Sequence, residues 1–355
     1  MGTQTAPSVG VAAASLATSV EMPNAGVFSV TKADGYWELL VRPAGQRSFS
    51  LITPPGVDSR PGIVFSSATA TNTLTTGFRA ASELGYSAIE QFLGGGSWSS
   101  ALVPKGLIGS ASALAVGTSG NLVAITGSPT APWVYEASSG ATNAIWHAVI
   151  TPKDLRTASV SKGCGQIGLD GVIRDGNGFL FAVDCSGSMI RLAKASSAGV
   201  LSQVASVPMK GETAFVALLN AGGHPTLVWS SVAHHRREVE ISTLSGSSVS
   251  TVAIEIGLSG GLSVSADLEG AVCIDVSASS TSSEVHCATP HGFLPQLASP
   301  PAGTSSIAVM ADGIFAFRPV RNAINIYQLA SVTGHGWAPY EQVNLGQLES
   351  GGTGG

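Results

Sequence analysis

The one basic cluster in the sequence is His234-His235-Arg236-Arg237. Four consecutive cationic or titratable side chains could hold a carboxylate or the acidic groups of a glycan through charge-assisted hydrogen bonds. Neighbouring residues of an extended strand point to opposite sides, so the two histidines do not form a metal clip. The cluster therefore reads as a hairpin tip with an anion contact as its functional use. Asp170 and the run Asp175-Gly176-Asn177-Gly178 resemble a calcium loop, but the alternating oxygen donors and the closing Glu of such loops are missing. A tight turn explains them better. Gly94-Gly95-Gly96 precedes neither Lys-Ser/Thr nor a helix, and so does not cradle phosphate. Trp37, Trp98, Trp133, Trp146, Trp229 and Trp337 offer aromatic faces on which a sugar could stack, but Trp98, Trp146 and Trp337 recur at one strand position of a repeated unit, which favours packing for those three. Trp146 with His147 joins the basic cluster as the second candidate ligand contact. Ser, His and Asp are scattered, with no spacing that assembles a nucleophile. These residues favour binding over catalysis: ligand contacts at His234, His235, Arg236, Arg237, Trp146 and His147, with no catalytic residue, no metal set and no cofactor motif.

The elements that must position these residues are strands. Apolar residues make up 44% of the 355-residue chain and charged residues only 11%, while 44 glycines stand among abundant Ser, Thr and Ala. The net charge of −5 excludes a nucleic-acid partner, which requires clustered Lys and Arg. No stretch approaches the ~20 unbroken apolar residues of a membrane helix, so no membrane insertion is expected. Residues 9–20 come nearest to an export-signal core, but no Lys or Arg precedes them and Ser and Thr dilute them. They read as a strand or an extended arm, and any export signal is expected to have been removed. Sustained helical spacing is absent, with one turn at most over residues 79–84.

An apolar strand, a turn ending in Gly and a second apolar strand recur along the chain. Copies run from Val27 to Val41 about Asp34-Gly35, from Ala113 to Ile125 about Gly120, and from Ile307 to Phe317 about Asp312-Gly313. The turn glycines 178, 223, 270 and 313 are spaced by 45, 47 and 43 residues. Each unit closes on an apolar-led strand, as at Trp98–Val103, Trp146–Ile150, Leu201–Val207, Val249–Ile256, Phe293–Leu297 and Trp337–Val343. Four strands in about 45 residues is the period of a β-propeller blade. Units beginning near 25, 62, 111, 164, 212, 260 and 304 give seven blades, with six as the other count. The expected organisation is an N-terminal arm over 1–24 that could supply a closing strand, a propeller over 25–346, and a flexible Gly-rich tail over 347–355. A sandwich pair would not repeat a four-strand unit, and β-helix repeats are much shorter.

The blade pattern also pairs the four cysteines. Cys273 and Cys287 fall on facing strands of a hairpin turning near residue 280, and Cys164 and Cys185 are symmetric about the turn near 175. Of three pairings, 164–185 and 273–287 are expected. Two disulfides imply an oxidising compartment, hence a secreted or cell-surface protein. No C-x2-C spacing suggests zinc.

The units resemble bacterial seven-bladed lectin propellers of the PLL type. The last unit carries Asp312-Gly313-Ile314-Phe315-Ala316-Phe317, then Ile324-Asn325-Ile326-Tyr327, Gly336-Trp337 and Leu345-Gly346, and the second ends Gly96-Ser97-Trp98-Ser99. The resemblance implies the propeller fold over most of 25–346. It implies little about sugar binding, because middle units replace Trp by Leu or Phe and the family's second Trp is missing throughout. The sialidase Asp-box is missing from every unit, against a propeller glycosidase. The sequence thus points to a non-catalytic extracellular propeller that recognises a glycan or protein surface without a cofactor. The alternatives are a structural component of a cell-surface or virion assembly, with self-association, and a hydrolase or lyase at the axis. Thiol labelling with peptide mapping should find no free thiol before reduction and only the bridged pairs 164–185 and 273–287; a 164–273 bridge would overturn the strand register.

Overall fold

The computed structural model describes residues 15–22, 25–31, 37–43, 46–52, 61–68, 74–80 and 87–92, and 111–344 apart from short breaks, mostly at turns, that include 117–120, 138–144, 186–188, 234–235, 257–260 and 330–335. Seven antiparallel sheets lie among them, each built from strands consecutive in the chain. The first sheet holds β1 (Ser15–Met22), β2 (Ala25–Thr31), β3 (Trp37–Pro43) and β4 (Ser50–Ile52). The second holds β5 (Pro61–Ala68), β6 (Leu74–Ala80) and β7 (Ser87–Phe92). The third holds β8 (Ala111–Val116), β9 (Leu122–Ser128), β10 (Ala131–Ala137) and β11 (Trp146–Ile150). In the fourth are β12 (Ile167–Asp175), β13 (Gly178–Cys185), β14 (Met189–Ala195) and β15 (Leu201–Pro208). In the fifth are β16 (Glu212–Ala221), β17 (His224–Ala233), β18 (Arg236–Ser245) and β19 (Ser248–Ile256). The sixth holds β20 (Gly261–Ala266), β21 (Val272–Ser279), β22 (Ser282–Thr289) and β23 (Gly292–Phe293). The last holds β24 (Ser306–Met310), β25 (Gly313–Val320), β26 (Ala323–Leu329) and β27 (Trp337–Asn344).

The first strands of successive sheets touch one another, from β1 to β5, β8, β12, β16, β20 and β24, and β24 returns to β1. That circuit makes the chain an all-β propeller with the first strands innermost. In five of these inner strands a single extra residue bulges the pairing with the second strand, at Ala17, within Gly62-Ile63, and at Ser112, Asp170 and Val216. A bulge raises the local twist, as a strand lining a closed ring requires.

Strand alternation explains the packing, because each sheet feeds two different cores. On β13, Phe179, Phe181 and Val183 join Val123, Ile125 and Ile150 of the third sheet, whereas Leu180 and Ala182 join Leu227 and Trp229 of the fifth. Further cores lie between the fifth and sixth sheets, around Ile241 and Ile274, and between the sixth and last, around Val285 and Ile307. Middle strands are consequently buried on both faces, as over Leu122–Thr126, while the outer β19 alternates with solvent.

The first unit begins earlier than its sequence pattern suggested. Residues 15–22 pair with β2 as the first strand, so the strands read at 27–30 and 36–41 are second and third, and Ser50–Ile52 is the fourth. Apolar alternation gives a strand but not its rank when the turn before it carries no Gly. The helix missed in sequence is α1 (Pro152–Thr157), started by a capping box between Thr151 and Asp154 with Pro152 at its first turn. Its Leu155 and the following Val160 plug the core between the third and fourth sheets. The expected strand at 293–297 shrinks to Gly292–Phe293. The expected strand at Trp98–Val103, residues 1–14 and the tail lie outside the described residues.

Both disulfides are formed as paired above. Cys273 and Cys287 are register partners with Cα atoms 4.0 Å apart, and Cys164 joins Cys185 at 4.9 Å. The turn glycines also have a packing reason. Gly222 sits at φ 57°, and a Cβ there would stand 2.9 Å from Cα of Gly270, the turn glycine of the next sheet. Gly222→Ala should therefore lower stability by more than the roughly 1–2 kcal/mol of a left-handed L residue, whereas Gly223→Ala, at φ 81° with open space around it, should lose that backbone contribution alone. Urea midpoints at unchanged slope measure the difference, and equal losses would disprove the contact.

Candidate functional site

The expected contacts do not form one site. Hairpins of a meander alternate between rims, with first–second and third–fourth connections at one and second–third connections at the other. The basic turn joins the second and third strands of the fifth sheet, whereas Trp146 and His147 begin a fourth strand. The two groups therefore lie on opposite rims. His234 and His235 fall outside the described residues; Arg236 opens β18, and Arg237 is half-buried beside it. Trp146 is buried against Leu122, Ala124 and Tyr135, which corrects its reading as a sugar platform: its ring is core. His147 is exposed, in register with Glu136. Trp337 is likewise engaged, donating from Nε1 to the carbonyl of Ala298 at 2.8 Å.

What the structure does assemble is a cleft of about 950 Å³ between the first and last sheets. Arg42, Gln46 and Arg47 line it from the first sheet, and Asp312, Gln328 and Tyr340 from the last. All come from the rim carrying first–second and third–fourth connections. Arg42 is the centre. It sits in β3 beside buried Leu40 and Val41, opposite Gly26 of β2, which places no side chain next to it. Only 2% of it is exposed. Its guanidinium donates to the Asp312 carboxylate, reaches the Tyr340 hydroxyl and Met310 sulfur at 3.4 Å each, and lies 4.6 Å from the ring centre of Phe315 and 5.7 Å from that of Phe49. Burial opposes the charge, but hydrogen bonds with Asp312 and Tyr340 and the Asp312 charge outweigh it and raise the Arg42 pKa. Phe49 stands edge-on to Phe315, Phe317 and Tyr340, each with ring centres 6.1 Å away. A second polar tie crosses here, from the Phe49 amide to Glu341 Oε2 at 2.8 Å. Gly313, at φ 154°, leaves room for Gln328, whose side-chain nitrogen donates to the carbonyl of Asp312 at 3.3 Å.

Chemically the cleft offers guanidinium, carboxylate, amide, hydroxyl and aromatic groups whose charges balance, a set suited to hydrogen-bonding a polar ligand. The sequence signal was present but faint: Arg42 is a lone charge at the end of the apolar run Leu39-Leu40-Val41.

Two perturbed carboxyls stand apart from the cleft, on the fourth and sixth sheets. Asp170, the bulge residue of β12, is pushed up to about 6 by burial and by the charge of Asp184 on β13. Asp275, buried on β21, is also pushed up to about 6 by burial, against a hydrogen bond with Ser283. Among the described residues no group of three or more His, Cys, Asp or Glu could hold a metal ion, and no helix is long and apolar enough to cross a membrane.

Solved structures share this architecture at low identity. A prolyl endopeptidase, from a study of two such enzymes and their inter-domain dynamics, aligns over 94% of this chain and 49% of its own at 13% identity with a TM-score of 0.56. This chain thus spans about half of that enzyme's length. A protein from Lactobacillus plantarum aligns over 94% and 96% at 8% identity and a TM-score of 0.51. The SapL1 lectin, solved with α-methyl fucoside, aligns over 94% and 96% at 12% identity and a TM-score of 0.50. The sequence itself matches no protein family and no curated protein. These likenesses establish the β-propeller fold alone.

The raised carboxyls fix a pH dependence. Above their ordinary 3.8 the unfolded chain gives up the Asp275 proton while the folded chain keeps it to about 6. Stability attributable to this group therefore falls as pH rises through 3.8 to 6. Asp275→Asn, which retains the partner for Ser283, should be more stable than the parent at pH 7 by about 1–3 kcal/mol and no more stable below the ordinary aspartate pKa. Denaturant titrations at both extremes measure this, and an equal gain at both would sink the assignment.

Proposed function

We propose that this chain is a non-catalytic extracellular propeller that binds a glycan or a segment of a protein in the cleft between its first and last sheets. The carrying observation is the cleft itself, roomy, polar, charge-balanced and bordered by the half-buried Tyr340. Propellers gather loops from many sheets at one rim, and a shallow site fed by two sheets suits an extended polar ligand. The two disulfides support an oxidising, extracellular setting. A lectin of the same fold, solved with α-methyl fucoside, makes glycans the first ligands to screen. The basic turn at 234–237 and His147 are secondary contacts in this reading, able to meet acidic groups outside the cleft.

One observation favours a second reading. Asp170 and Asp184 lie on the first and second strands of one sheet, and a carboxyl held protonated near pH 6 beside another carboxyl is the pairing used by acid–base hydrolases. It would make the chain a hydrolase acting near the axis.

A glycan array and a pull-down of extracellular proteins separate the two. Tyr340→Ala and Gln328→Ala should each weaken binding about tenfold, the loss of one good contact, while His147→Ala and Arg237→Ala weaken it less. Failure to bind any glycan or protein, with glycoside turnover abolished by Asp170→Asn, would replace the first reading by the second.

A further inference from the structure

Every sheet among the described residues is built from consecutive strands, so no sheet combines strands from the two ends of the chain. Among the described residues no backbone ladder locks the ring shut. The last sheet meets the first through β24 against β1 and through side chains. Those side chains form one cluster: Leu40 and Phe49 from the first sheet with Met310, Phe315, Phe317 and Ile326 from the last. Arg42 is the one buried cation in it, and its hydrogen-bond partners Tyr340, Met310 and Asp312 all come from the last sheet and its turn. Two of them, Asp312 and Tyr340, are also walls of the cleft.

We infer that Arg42 is the latch that closes the ring, and that the cleft is a composite site which exists only while this latch holds. This rests on the binding reading above for the cleft's use, but the latch stands on the seam alone. When the seam parts, the first-sheet wall of the cleft leaves with Arg42, while Asp312 and Tyr340 stay on the last sheet. A ligand touching both walls must therefore favour the closed ring by its own binding, because it has no such pair of walls in the open one. Arg42 acts as a positioning residue: it holds Tyr340 and Asp312 in place instead of presenting itself, being almost wholly buried.

The geometry sets the test. Asp312 is half exposed, with 50% of its side chain open to solvent, so Asp312→Ala disturbs little packing but leaves a buried guanidinium without its carboxylate. Hydrogen exchange followed by mass spectrometry on the intact chain should then rise in β3 and β4 by at least about a hundredfold, while the fourth and fifth sheets keep their parental rates. Adding Arg42→Met to Asp312→Ala removes the stranded charge and keeps an apolar stem of similar reach, so protection of β3 and β4 should return. Arg42→Lys in an otherwise parental background keeps the charge but loses the planar fork reaching three partners, and should itself raise exchange in β3 and β4.

Exchange rising equally in every sheet, or a double variant no better protected than Asp312→Ala, would overturn the latch. The two ideas fail separately. A blank array with exchange confined to the first sheet removes the ligand and keeps the latch, and a positive array with uniform exchange does the reverse. Should Asp312→Ala not fold, Asp312→Asn, which keeps a hydrogen-bond acceptor but no charge, gives the same comparison at smaller amplitude.

Discussion

A ring of sheets has to close on itself with the two ends of its chain, and here that constraint falls on Arg42. Every other junction in the ring joins sheets that are neighbours in sequence. The junction between β24–β27 and β1–β4 joins the two ends of the repeat instead, and among the described residues the two sheets share no strand. A purely apolar contact there would bury area but would not fix how the two sheets face each other. A guanidinium packed beside two aromatic rings, hydrogen-bonded to a carboxylate and a phenol on the opposite sheet, has one good geometry. The cation supplies orientation where the Phe49, Phe315 and Phe317 cluster supplies attraction.

The remaining junctions need less specification. Alternate residues of a strand enter cores on opposite sides of its sheet, so each middle strand is apolar throughout and stitches two interfaces at once. The low charge of the sequence follows from this. Strands that are buried on both faces have no place for Lys or Glu, which leaves turns, outer strands and the occasional paired group for them. Where a carboxyl does enter, as at Asp275, burial favours its protonated form. Asp267, also buried, accepts the amides of Glu269 and Ala271 in the turn it caps.

Sequence periodicity gave the repeat, the hairpin turns and both cysteine pairs, because these depend on local spacing: a Gly at a turn, an apolar run on each side, a cysteine equidistant from the bend. The Cys273–Cys287 register and the fourth strands at Trp146, Leu201 and Trp337 were legible for the same reason. The rank of the first strand was not, since Val27–Val30 looks alike as first or second strand until its partner is known. Trp146 stayed open between core and ligand contact, because an aromatic residue at a strand start looks the same whether its ring packs inward or faces solvent. Arg42 was unread because its meaning lies 270 residues away, in Asp312 and Tyr340, and nothing within its own unit calls for a charge. A short signal did exist for α1, in Thr151-Pro152-Lys153-Asp154, but six residues are too few for helical spacing to register.

The same asymmetry bears on where a ligand would act. Along the inner strands a single polar side chain can tie neighbouring sheets: Ser265 accepts the Val309 amide and so fastens the sixth sheet to the last. At the seam, polar groups from two sheets far apart in sequence are brought side by side, and they cannot all be satisfied within one strand ladder. The Phe49 amide turns to Glu341, the carbonyl of Asp312 to Gln328, and the Asp312 side chain to Arg42 while keeping half its surface open. A position that must satisfy its polar groups across a gap is also one where an outside hydroxyl or amide can replace a partner at little cost. The junction that is hardest to close is therefore the one best equipped to bind, and its stability and its occupancy are two aspects of the same set of contacts.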